Sequence, residues 1–91
     1  MKEPLRSNSD LFGYLLGLHD ELDAAGENDL AGAVYFASRF FSGSASEFFY
    51  EAKEALITVR TNSRALKKSQ ISDIDSVIAQ IDDAFREVGG A

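Results

Sequence analysis

His19 is the only histidine in a chain of 91 residues that has no cysteine. Any acid–base or metal chemistry must therefore be built around one imidazole. Histidine titrates near neutrality and can move a proton, and Asp23, one helical turn further on, is spaced to hydrogen-bond its ring. A carboxylate-bridged di-metal bundle needs two Glu-x-x-His motifs; Leu16 stands where the first glutamate belongs and there is no second histidine. That site is excluded. Ser42, Ser44 and Ser46 cluster their hydroxyls, but they flank Gly43 with no histidine nearby in sequence, the pattern of a turn and a helix cap. Asp75, Asp82 and Asp83 lack the spacing and central glycine of a calcium loop, and no phosphate-binding glycine fingerprint occurs. The reading assigns no catalytic, metal-ligating or cofactor-binding residue: the chain is expected to be non-enzymatic.

Charge narrows the partners. The net charge is −6, opposed to a protein that neutralises nucleic-acid phosphates. Lys53, Arg60, Arg64 and Lys68 form a basic stripe that could meet RNA, but no aromatics are interleaved with it at matching spacing. Six acids and no Lys or Arg lie between Asp10 and Ser38, whereas five bases and one acid lie from Lys53 to Lys68. Such an acidic front and basic middle either pair with each other or steer a partner. No apolar run reaches the ~20 residues of a membrane span. The N-terminal residues lack the uninterrupted apolar core of a signal peptide, and the absence of cysteine fits a reducing cytoplasm.

These groups must be positioned by helices. Residues 1–8 read as a flexible polar lead-in containing Pro4, and 9–91 as one domain. Leu11, Leu15, Leu18 and Leu22 repeat at the 4-3-4 spacing of a helical stripe, with Ser9 as the cap and Gly26 as the stop. Asn28 can cap a second helix running to Phe41 and ended by Gly43. Ser44 and Glu47 match a capping box for a third helix through Phe48, Ala52, Ala55, Val59 and Leu66, although Thr61-Asn62-Ser63 weakens it. Ser72 introduces a fourth, with Ile74, Val77, Ile78, Ile81, Phe85 and Val88 on one face and Gly89-Gly90 behind it. The expected fold is all-α: an antiparallel up-down-up-down bundle with helices at about 10–25, 29–42, 45–66 and 73–88. At ~1.5 Å per residue the third helix, if unbroken, outruns the second by about 10 Å, so an end bearing Arg60, Arg64, Lys67 and Lys68 is expected to project, bend or lie against another molecule.

Seven of the ten aromatic residues fall between Tyr35 and Tyr50. A bundle corner can absorb Phe40, Phe41, Phe48 and Phe49. Tyr35, Phe36, Tyr50 and Ile57 fall on other sides of the same two helices, where a small domain has nothing to cover them. Large exposed apolar patches mark interaction sites, and Tyr and Arg are enriched in binding hot spots. Tyr35, Phe36, Arg39, Tyr50 and Ile57 are therefore the expected interface, most simply of a homodimer. Gly13 and Gly17 form a small-xxx-small pair on the outer face of the first helix, either a site of close helix approach or tolerated surface glycines. The alternative is an inhibitor whose acids Asp20, Glu21, Asp23, Glu27 and Asp29 block a basic partner such as a toxin or nuclease.

Overall fold

The structure, a computed structural model, describes residues 7–87. Four helices follow one another: α1 (Asn8–Ala24), α2 (Asn28–Ser38) with a 3-10 turn (Arg39–Ser42), α3 (Ala45–Asn62) and α4 (Lys68–Glu87). No strand occurs among the described residues. Contacts run in opposite order along neighbouring helices. Phe12, His19 and Asp23 of α1 meet Phe41, Tyr35 and Asn28, and Lys53 and Arg60 of α3 meet Asp82 and Asp75 of α4. The fold is an all-α four-helix bundle in which consecutive helices pack antiparallel, as short links require.

The core is the set of stripes read from the sequence: Leu11, Leu15, Leu18 and Leu22 from α1, Val34 from α2, Phe48, Leu56 and Val59 from α3, Ile74, Val77 and Ile81 from α4. Alanines at 31, 37 and 52 are also buried and let the backbones of α2 and α3 approach their neighbours. Five phenylalanines link one end of the bundle. Phe12 stacks on Phe41 (4.6 Å between ring centres), Phe41 meets Phe48 edge-on (5.7 Å), Phe48 lies beside Phe49 (6.3 Å), and Phe49 meets Phe85 edge-on (5.8 Å). These stacked, tilted and edge-on geometries suit the ring quadrupoles, and the chain of rings runs from α1 through the 3-10 turn and α3 to α4.

Several boundaries differ from the sequence reading, each for a local reason. α1 is capped by Ser7, whose hydroxyl accepts from the Asp10 N–H, and not by Ser9. The expected lead-in therefore ends before Ser7; its residues 1–6, like Val88 and the Gly89-Gly90 terminator, lie outside the described residues. α2 stops at Ser38, the only buried polar residue among those described. Its hydroxyl donates to the Tyr35 carbonyl, and the chain tightens into 3-10 geometry, common at a helix C-terminus. Asn28 is the first residue of α2, with Glu27 in the cap position.

α3 ends at Asn62 and does not continue to Leu66. Thr58 and Asn62 turn their side chains back onto the carbonyls of Glu54 and Thr58, the local competition that makes such residues weak helix formers. Ser63 is then extended (φ −69°, ψ 138°). The surplus does not form as helix: α3 ends early, Arg60 is paired with Asp75, and Arg64 and Lys67 lie in the link to α4. α4 starts at Lys68, five residues before the expected 73, because Gln70 accepts from the Lys67 N–H (2.8 Å). Ser72 lies inside this helix.

Candidate association surface

Among the described residues, Tyr35, Phe36, Tyr50 and Ile57 are the large apolar side chains left outside, 51%, 54%, 55% and 40% exposed. Helix geometry explains why. On α2 the buried line is Ala31, Val34 and Ala37, which leaves Gly32 and Phe36 on the outward side and Tyr35 at the edge facing α1. On α3, Phe48, Ala52, Leu56 and Val59 are buried. Tyr50 and Ile57, seven residues apart, stand above one another on the opposite side.

The α2 rings are held in place. Tyr35 tilts against His19 of α1 (5.7 Å), and Phe36 meets the half-buried Phe40 edge-on (5.3 Å). Tyr50 enters none of the ring contacts among the described residues. The structure thus gives two outward stripes, one per helix. Arg39 is exposed one turn beyond Tyr35 and forms no ion pair among the described residues. Gly13 and Gly17 are exposed, and a Cβ added to either would meet nothing within 4 Å. Among the described residues, therefore, no other helix approaches them.

His19 is half-buried, and its Nδ1 lies 3.0 Å from the Asp20 carboxylate and not beside Asp23. Asp23 accepts instead from the Asn28 side chain. No hydrogen bond joins His19 to Ser42, Ser44 or Ser46 among the described residues; Ser44 caps α3, accepting from the Glu47 N–H (3.1 Å). Asp75, Asp82 and Asp83 pair with Arg60, Lys53 and Arg86. Among the described residues no group of three or more His, Cys, Asp or Glu could hold a metal, and no helix is long and apolar enough to cross a membrane.

The acidic surface is largely committed within the chain. Glu27 accepts from the Ser63 hydroxyl (2.6 Å) and the Arg64 N–H (2.9 Å). The Arg64 N–H, and after it the Ser63 hydroxyl, hold its carboxyl below the ordinary value of 4.5. Glu21 accepts from Gln70 (3.2 Å). Asp29 has neither an ion pair nor a side-chain hydrogen bond among the described residues. Tyr14 is half-buried at the α1–α4 boundary; burial first, then the charges of Asp73 and Glu21, push its phenol upward, so it stays neutral. Among the surface hollows, one of about 190 Å³ is lined by Ser7, Leu11, Phe49, Gln80 and Ile81 among others, and another, of about 420 Å³, lies beside Gly26, Glu27, Asn28, Asp29, Leu30 and Asn62. In neither is a serine hydrogen-bonded to a base.

The sequence reading missed Glu27 as a clasp and Gly32 as part of the outward α2 stripe. Glu27 was unreadable because its partners lie 36 and 37 residues away. Gly32 was legible, since it stands three residues before Tyr35 and four before Phe36. The class of this protein is thus a small helical bundle with outward aromatic stripes on two adjacent helices. Set against known protein families, curated proteins and solved structures, the chain matches none.

Proposed function

We propose that this protein acts by association, as a homodimer held through the outward aromatic faces of its central helices, and not by catalysis. The observation that carries the reading is the exposure of Tyr35, Phe36, Tyr50 and Ile57. Exposed apolar patches on small soluble domains mark contact surfaces, and a second copy is the simplest occupant, because closed two-fold pairs are the commonest oligomers. Arg39, exposed and unpaired among the described residues, supplies the kind of residue that anchors interface hot spots.

Sedimentation equilibrium at micromolar concentration tests this. The parent chain is expected to sediment as a dimer. The variant carrying Tyr35→Ala, Phe36→Ala, Tyr50→Ala and Ile57→Ala is expected to sediment as a monomer with an unchanged helical circular dichroism spectrum. A parent chain that remains monomeric up to hundreds of micromolar overturns the reading.

A further inference from the structure

Of the two outward stripes, one is built to meet its own copy. Along α2 and its 3-10 turn, Asp29, Gly32, Phe36 and Arg39 are all exposed and are spaced three, four and three residues apart. That spacing reads the same in both directions. A copy of α2 laid antiparallel, with the two-fold axis passing beside residue 34, brings Asp29 opposite Arg39 and Gly32 opposite Phe36, each pair occurring twice. The chemistry matches at every position. Asp29 and Arg39 carry opposite charges and neither has an ion-pair partner among the described residues. At Gly32 an added Cβ would meet nothing within 4 Å, so the bare helix backbone is open there to the partner's phenyl ring. The α3 stripe lacks this complementarity, because its neighbouring cations Lys53 and Arg60 are already tied to α4.

We infer that the homodimer forms through an antiparallel α2–α2 contact in which Phe36 of each copy packs over Gly32 of the other and Asp29 pairs with Arg39 across the ends. This rests on the association reading above and specifies its partner, face and register. An isologous contact of this kind is self-limiting, since using the patch on both copies leaves none for a third. Tyr35 flanks the contact.

Charge exchange tests the register. Asp29→Arg places two like-charge encounters in the dimer, as does Arg39→Asp. Each single variant is expected to dimerise about a hundredfold more weakly than the parent. An equimolar mixture of the two is expected to recover a heterodimer, because both encounters become attractive again. Gly32→Leu puts a side chain where the partner's ring would lie and is expected to give a folded monomer by circular dichroism and sedimentation. If the parent dimerises but neither charge variant nor Gly32→Leu weakens it, the α2–α2 register is overturned while association stands. If the charge variants weaken and their mixture does not recover, the pairing of Asp29 with Arg39 is overturned. A monomeric parent overturns the association reading itself.

Discussion

At the scale of single residues, the two turns at one end of the bundle are joined by a single side chain. Gly26 has φ 84°, with its N–H on the Asp23 carbonyl and the Glu27 N–H on the Leu22 carbonyl, the paired bonds of a Schellman turn. Glu27, placed by that turn, closes the α3–α4 link through Ser63 and Arg64. Because its folded pKa is depressed, its contribution is fully present above pH 4.5 and is lost as the pH falls below that value. Urea melts from pH 7 downward are expected to show the parent losing stability on this acid limb. Glu27→Gln is expected to start lower and to fall less steeply. The glycines make a second test. Gly26→Ala forces a left-handed conformation and is expected to destabilise by about 1–2 kcal/mol. Gly13→Ala and Gly17→Ala, at open positions inside a helix, are each expected to stabilise by roughly 0.5–1 kcal/mol in chemical denaturation. If either also weakens dimerisation, that glycine lies within the contact.

At the scale of elements, the aromatic stretch does two jobs divided by helix face. Phe41, Phe48 and Phe49 join Phe12 and Phe85 to fasten the helices together, while Tyr35, Phe36 and Tyr50 point away. The 3-10 turn makes this division possible, since it carries Phe41 in between α1 and α3 and leaves Phe40 against Phe36. Phe48→Ala removes a fully buried ring and is expected to cost about 3–5 kcal/mol in denaturant melts, enough to unfold much of a domain this small. Tyr50→Ala, on the opposite face of the same helix, is expected to leave monomer stability within about 0.5 kcal/mol of the parent. The charge split resolves at this scale too. The basic residues of α3 reach α4, as Lys53–Asp82 (2.6 Å) and Arg60–Asp75, and do not engage the acidic front through side-chain ion pairs. These pairs are partly exposed and contribute little individually; the Asp75 carboxylate, through its hydrogen bond and charge, holds the Arg60 guanidinium above its ordinary value.

At the scale of the whole molecule, a bundle of this size buries a modest share of its surface, so the proposed dimer would add appreciably to its stability. Dimerisation coupled to folding makes the thermal midpoint depend on concentration. Circular dichroism melts are expected to move upward as the parent is concentrated and to be concentration-independent for the variant lacking all four outward side chains.

Periodicity and punctuation between neighbours in the chain were sufficient for the four-helix architecture. The leucine stripe of α1, the stop at Gly26, the Ser44 cap and the isoleucine face of α4 are set by contacts a few residues apart, and so are the sides on which Phe36 and Tyr50 stand. Which acids are occupied depended on partners brought together only when the helices packed. Glu27 reaching Ser63, Gln70 reaching Glu21 and Arg60 reaching Asp75 each join segments distant in the chain. A one-dimensional pattern records the angle of a side chain around its own helix. Which neighbour occupies that angle is set by the three-dimensional packing of helices against one another.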